Sequence, residues 1–234
     1  MTILVTGATG FVGSYLIPDL LDHGYDVRAL SRNKEKAQSQ LDSRVEVVEG
    51  DVLDPETLDD VFTDIDVAYY LVHSLGIGEA FEERDNRAAD NFAEAASEAG
   101  VERVIYLGGL GETGPDLSPH LRSRREVEEH LRQGSYDLTT FRAAIIVGSG
   151  SASFEMVRQL VSRLPVMITP KWVRTPSQPI AIDDVIEYLR RAIETPETAG
   201  ETLEIGGPEV LSYQEMMERT AAAAGRNLKV IPVP

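Results

Sequence analysis

Cysteine is absent from the 234-residue chain, which excludes disulfides, thiolate nucleophiles and thiolate metal sites and leaves the redox compartment unread. Lysine is scarce: Lys34, Lys36, Lys171 and Lys229 are the whole complement, and 39 acidic against 22 basic residues give a formal charge of -17. Nucleic acid and anionic membrane surfaces both need clustered positive charge, so neither is an expected partner. The acidic, lysine-poor composition reads instead as adaptation to salt. No apolar run approaches the roughly 18 residues needed to span a bilayer. The amino terminus also lacks the basic, apolar and small-residue succession of a signal peptide, and a cytoplasmic protein is the expectation. Linkers, internal repeats and low-complexity tracts are missing, so residues 1–234 read as one domain with room for a substantial core. No pair of His or acidic residues has a metal-ligand spacing.

Against these absences stands Thr6-Gly7-Ala8-Thr9-Gly10-Phe11-Val12-Gly13, which follows an apolar strand (Ile3, Leu4, Val5) and opens a helix. That is the nucleotide end of a Rossmann-type sheet. Gly7 permits the tight turn, Gly10 lets backbone approach a pyrophosphate, and Gly13 lets the helix pack closely on the strand. The helix start then offers unpaired N–H groups and a partial positive charge to the phosphates.

Apolar runs alternate with helical periods along the chain: strand 2–6, helix 11–23, strand 26–30, helix 33–41, strand 45–48. This is a βαβαβ series with a parallel sheet. Val12, Leu16 and Leu20 share one face of the first helix, Gly24 closes it, and Pro18 predicts a kink. A short helix near 55–62, a strand at 67–72, a long helix from about 81 to 99 and a strand at 103–107 follow. After a Gly- and Pro-rich loop, Ser118-Pro119 caps a helix that turns Val127 and Leu131 inward, and a strand at 138–142 comes next.

Beyond Gly148 the rhythm changes. An amphipathic helix (Phe154, Val157, Val161, Leu164) and four prolines suggest a small lobe from about 149–180 and 206–234 over the carboxyl ends of the sheet. Asp183 begins a further helix, Leu203 to Ile205 form a strand, and Ser212-Tyr213-Gln214-Glu215 is a capping box. The expected fold is therefore α/β, a doubly wound parallel sheet with a C-terminal substrate lobe.

Enzymes that use NAD usually end the second strand on an acid that accepts from the ribose hydroxyls. Here it ends Ser31-Arg32. A 2′-phosphate would gain a charge-assisted contact to Arg32 of about 1.5 to 3 kcal/mol, at least a tenfold preference. NADP(H) is therefore favoured over NAD(H), the alternative being a solvated arginine at a helix start. After the third strand, Asp51 could meet the adenine amino group and Val52 the ring.

Together, TGATGFVG at 6–13, Ser31-Arg32, Gly50-Asp51-Val52, the run Tyr69 to Ser74 and Phe141 to Gly148 resemble the extended and atypical short-chain dehydrogenase/reductases. The branch resembled is that of NmrA-like and nucleoside-diphosphate-sugar-epimerase-like NAD(P)-binding proteins. The resemblance covers essentially the whole chain and implies a fold more specifically than a reaction. Some members continue into a further C-terminal domain beyond the stretch that this chain matches. It implies cofactor contacts for Gly7, Thr9, Gly10, Phe11, Val12, Gly13, Ser31, Arg32, Asp51, Val52, Leu71, Val72 and His73. Active members carry a Ser at the end of the fifth strand and Tyr-x-x-x-Lys on the next helix, the Tyr moving the carbonyl-side proton while Lys holds the nicotinamide ribose.

This sequence departs at all three places. Gly108-Gly109 stands in the Ser region, and His120-Leu121-Arg122-Ser123-Arg124 replaces Tyr-x-x-x-Lys. Either His120 donates the proton while Arg124 holds ribose hydroxyls, or His120 is a first-turn helix residue and Arg124 only a ribose or phosphate clamp. Thr113 and Ser118 could replace the missing hydroxyl. Arg142 either nears the nicotinamide or pairs with a helix acid, and Phe154, Trp172 and Tyr213 either line a substrate cleft or simply pack. Three functions follow: an NADP(H)-dependent oxidoreductase on a small organic substrate, a non-catalytic dinucleotide sensor or assembly factor, and a nucleotide-sugar epimerase or dehydratase. The last is disfavoured because it leans on the missing Tyr.

Overall fold

Ile3, Leu4 and Val5 are consecutive and fully buried. Because successive strand residues point to opposite faces, the strand they form must be covered on both sides. That strand is β1 (Thr2–Val5) of a computed structural model that describes residues 1–72, 79–110, 119–164 and 166–233. The chain continues through α1 (Phe11–Asp22), β2 (Asp26–Ser31), α2 (Lys34–Gln40), β3 (Glu46–Glu49), β4 (Val67–Tyr70), α3 (Glu79–Glu98) and β5 (Arg103–Gly109). Then come α4 (Pro119–Leu131), β6 (Asp137–Ala143), β7 (Ile146–Val147), α5 (Ala152–Arg163), β8 (Val166–Pro170), β9 (Pro176–Ser177) and β10 (Ile180–Ala181). The last elements are α6 (Ile182–Glu194), β11 (Thr202–Ile205), β12 (Leu211–Ser212), α7 (Tyr213–Ala223) and β13 (Lys229–Val233).

Seven strands form one sheet in the order β3-β2-β1-β4-β5-β6-β11. The pairs β1 with β2, β1 with β4, β2 with β3 and β4 with β5 are all parallel. Sequence order reverses beside β1, so the carboxyl ends of β1 and β4 flank the switch point at which open α/β sheets bind ligands. This is the Rossmann-type architecture expected.

The contacts divide into two compact units, Met1–Arg142 with Ile186–Glu204, and Ala143–Val185 with Ile205–Pro234. In the first, alternation assigns each sheet face its cover. Leu4, Ala68, Tyr70, Val104 and Tyr106 join Phe92 of α3 and Val127 and Leu131 of α4 in one buried cluster. Tyr70 and Phe92 meet edge to face at 4.9 Å. Each such large side chain stabilises by about 1.5–3 kcal/mol when buried. Tyr69, one residue along, points the other way and donates its hydroxyl to Leu189 O of α6 at 2.8 Å. Helices thus lie on both faces.

In the second unit β8 and β13 pair in parallel, with Val230 opposite Met167. Met167, Val173, Val161 of α5 and Met217 and Ala221 of α7 make its core. Ser151 caps α5 and Ser212 with Glu215 closes the capping box of α7.

The elements differ from the sequence expectation at several places, among them the paired strands β8 and β13, which the sequence expectation lacks. Residues 55–62 are not a helix: only Pro55–Thr57 form a 3-10 turn. Leu58, Val61 and Ile65 then donate to Pro55, Leu58 and Phe62 across i to i+3 turns. Leu58, Val61 and Phe62 are buried at the helical spacing that suggested one, but successive tight turns deliver them to the core. β5 extends to Gly109, two residues past the expected end.

Candidate functional site

The turn after β1 is built by three glycines with different steric duties. Gly7 sits at φ 69°, a left-handed conformation that favours glycine, and a Cβ there would lie 2.5 Å from Leu71 O. A Cβ on Gly13 would lie 2.5 Å from Gly7 O and 2.7 Å from Ala8 O, so helix and turn touch through backbone. At Gly10 a Cβ would meet only Gly7 O, at 3.0 Å. Thr9 and Gly10 are exposed, and Phe11 and Val12 are half-buried. Gly10 is the N-cap of α1 with no side-chain cap, so the first amides of the helix, Phe11 to Gly13, lack an intrahelical acceptor. That end is a place for an anion.

Thr6, which the sequence reading passed over as a site residue, holds this turn against β4. Fully buried, its hydroxyl donates to Tyr69 O at 3.0 Å and accepts from Leu71 N at 3.2 Å. A threonine directly after a strand and before a glycine was the available signal. Leu71 and Val72 are both half-buried, Val72 against the core.

At the end of β2, the Ser31 hydroxyl donates to Asn33 O at 3.1 Å, and Asn33 caps α2 by accepting from Lys36 N at 2.9 Å. Arg32 is exposed and makes no hydrogen bond or ion pair among the described residues. At the end of β3, Asp51 Oδ1 accepts from Leu53 N at 3.0 Å, and Asn91 of α3 donates to Val52 O at 2.8 Å. Val52 is 6% exposed and belongs to the core cluster. Its apolar side chain is held by that core. Gly50 precedes them because a Cβ would lie 2.9 Å from both Leu30 Cδ1 and Thr57 O.

His120 lies on α4, but its side chain, like His73, Thr113 and Ser118, falls outside the described residues. Arg124 is half-buried. Its Nη2 donates to Leu107 O at 2.8 Å, and its guanidinium carbon lies 5.6 Å from the Tyr106 ring centre. Tyr106 donates its hydroxyl to Arg124 O at 3.1 Å. Burial pushes the Tyr106 phenol up, and the Arg124 charge offsets part of that rise.

Arg142 pairs with a helix acid, the second of its two readings. Glu128, 5% exposed, accepts from Arg142 Nε at 3.0 Å and Nη2 at 2.8 Å, from Arg132 at 3.1 Å and from Thr202 at 3.1 Å. Its burial is possible because the charge is paired and every lone-pair direction is used. Trp172 and Tyr213 meet edge to face at 5.5 Å, with Trp172 60% exposed. A shallow cleft of about 470 Å³ opens at the amino-terminal edge of β1 and β2, lined by Thr2, Tyr25, Arg44 and Glu46 among others. Among the described residues no predicted site residue lines it. Among the described residues no group of three or more His, Asp or Glu could hold a metal, and no helix is long and apolar enough to cross a membrane.

A family model described as the NmrA-like family matches residues 1–234. Similar proteins include the photosystem II assembly factor Ycf39 of Cyanophora paradoxa, 27% identical over 241 residues that cover 100% of this chain and 72% of the relative. The ceramide reductase of Caulobacter vibrioides is 28% identical over 237 residues, 99% of this chain and 73% of the relative. Among solved structures, MoeE5 in complex with UDP-glucose and NAD superposes with a TM-score of 0.81 at 21% identity, covering 100% of this chain and 85% of that one. The UDP-glucose 4-epimerase of Thermotoga maritima with UDP-glucose gives 0.82 at 17% identity, covering 100% and 86%. At such identities the structural likeness shows the fold.

Proposed function

The chain belongs to the NmrA-like family, and on that premise we propose an NADP(H)-binding reductase of the atypical short-chain class, acting on a small organic substrate. The observation that carries the cofactor reading is the uncapped amide end of α1 beside Gly7, Gly10 and Gly13, where a Cβ would either collide with backbone or narrow the approach. A pyrophosphate fits this end because its oxygens satisfy amides that the helix cannot. The bound cofactor would supply the hydride.

This chain's own groups bind and orient. Arg32, exposed and unpartnered among the described residues, is available to a 2′-phosphate. Asp51 is fixed by its Leu53 contact and keeps a second carboxylate oxygen for the adenine amino group. Ser31, Thr9, Phe11, Val12, Leu71, Val72 and His73 complete the proposed contacts. Arg124 would hold ribose hydroxyls from α4, where its guanidinium reaches β5 at Leu107 O, and His120 would donate the proton that accompanies hydride transfer.

A second reading is a binding protein without turnover. It is favoured by the engagement of Arg124 with Leu107 O and Tyr106, and the relative in Cyanophora paradoxa is named an assembly factor.

Calorimetry with NADPH and NADH, on the unaltered chain and on Arg32→Ala, tests the cofactor. We expect NADPH to bind at least about tenfold tighter and Arg32→Ala to erase the difference; an unchanged ratio removes Arg32 from the argument. Incubation with NADPH and a panel of quinones, aldehydes and ketones separates enzyme from sensor. Turnover lost in His120→Ala supports catalysis, whereas tight binding with no turnover supports the second reading.

A further inference from the structure

Gly108-Gly109 stands in the region where the resembled enzymes carry a serine, Arg124 stands in place of their lysine, and Gly109 lies against the helix that carries Arg124. A Cβ on Gly109 would lie 2.9 Å from Leu121 Cδ2, the end of a side chain that can turn aside, and in ordinary contact with Arg124 Cγ at 3.9 Å. Under Arg124 lies Tyr106, fully buried and tilted at 56° to the Tyr70 ring, ring centres 6.1 Å apart. Tyr106 grips the arginine twice. Its hydroxyl donates to the backbone carbonyl of Arg124 at 3.1 Å, and its ring lies 5.6 Å from the guanidinium carbon. Arg124 Nη2 then reaches back to Leu107 O at 2.8 Å.

We propose that Tyr106 is a positioning residue for the cofactor site, fixing Arg124 as a permanent cation at the carboxyl end of β5. This rests on the reading of the crevice as a nicotinamide nucleotide site. A planar guanidinium can lie against a ring while one edge donates to a carbonyl, leaving other N–H groups for ligand hydroxyls; a lysine ammonium has no plane to stack. Arginine also stays charged at every accessible pH. The Tyr106 hydroxyl is engaged by backbone and kept protonated by burial, so it orients the site and is not its proton donor. Tyr106 acts on the ligand only through Arg124.

The test measures NADPH affinity by calorimetry on the full chain, with thermal unfolding of each variant as a check on folding. Tyr106→Leu removes the hydroxyl and the ring face and is expected to weaken NADPH about tenfold. Tyr106→Phe keeps the ring and is expected to stay within about threefold. In an Arg124→Met background, Tyr106→Leu should cost no further affinity, a non-additivity that a merely structural tyrosine would not produce. If Tyr106→Leu fails to fold, Arg124→Lys decides: it should bind as weakly as Arg124→Met within about threefold. Full affinity in Tyr106→Leu or Arg124→Lys, or an equal loss in both backgrounds, overturns the proposal and leaves the cofactor reading standing. No NADPH binding by the unaltered chain overturns both.

Discussion

The Thr6 hydroxyl and the Leu71 amide meet at 3.2 Å, just past the last paired position of β1 and β4, Val5 with Tyr69. Gly7 turns the backbone away at φ 69°, so a side chain continues the ladder that the main chain has left. The same hydroxyl donates to Tyr69 O, which makes Thr6 the link between the glycine turn and the segment that packs on it. Thr6→Val keeps the shape and removes the oxygen, leaving the Leu71 N–H unpaired. We expect a loss of about 1–3 kcal/mol in urea unfolding. Thr6→Ser should recover most of it, and an unchanged midpoint in Thr6→Val would show that the link carries no stability.

Gly10 and Gly13 predict opposite outcomes for the same substitution. At Gly13 the added methyl meets two carbonyl oxygens within 2.7 Å, and backbone cannot step aside. Gly13→Ala should therefore destabilise by about 1–3 kcal/mol or more as well as abolish nucleotide binding. At Gly10 the methyl meets one oxygen at 3.0 Å and faces outward. Gly10→Ala should melt within a few degrees of the unaltered chain yet lose NADPH affinity at least about tenfold, if phosphate approaches there. Thermal melts paired with calorimetry check both, and retained affinity in Gly10→Ala would move the phosphate elsewhere.

How much of this was legible follows from which forces are local. The triplet Ile3 to Val5 and the glycines after it read directly as a buried strand and a phosphate turn, because period and φ preference are properties of neighbouring residues. The capping box at Ser212 and Glu215 was legible for the same reason. Residues 55–62 misled because Leu58, Val61 and Phe62 keep helical spacing while i to i+3 turns deliver them. Tyr106 under Arg124 was illegible: the partners are 18 residues apart, and Tyr106 reads only as another apolar strand position. Arg142 offered two partners in the sequence, and only three-dimensional proximity to Glu128 selects one.

Tyr25 gives the fold an alkaline limit that one substitution should soften. Burial, then the hydrogen bond to Glu194 and its charge, push the Tyr25 phenol up from 10.0 to about 12; the hydroxyl donates to Glu194 Oε1 at 2.6 Å. The folded chain therefore keeps a proton that the unfolded chain has already released. Its contribution is complete below pH 10 and is lost as the pH rises from 10 through about 12. Buried Tyr69, Tyr70 and Tyr106 are also raised and lose stability in the same direction. Melting temperature against pH should fall above pH 10, and Tyr25→Phe should show a shallower fall. An identical slope in Tyr25→Phe would mean that burial and Glu194 do not hold the proton on this phenol in solution.

Salt should stabilise this protein, because it reaches the repelling surface charges more fully than the buried attractive ones. With 39 acidic against 22 basic residues the surface repels itself, a repulsion that weakens the compact state. At about 1 M salt the screening length is about 3 Å, short enough to silence carboxylates at ordinary surface spacing. The same screening loosens exposed pairs such as Arg191 with Glu187 and Arg219 with Glu209, but exposed pairs contribute little to begin with. Glu128 is buried and its partner Arg142 half-buried, so that pair is screened less. Relief of repulsion therefore wins, and the melting temperature should climb between about 0.1 and 1 M NaCl, with KCl matching it. At about pH 4, where the ordinary carboxylate is half protonated, the climb should shrink. A melting temperature that falls with NaCl at neutral pH would mean that surface ion pairs, and not net repulsion, govern the stability.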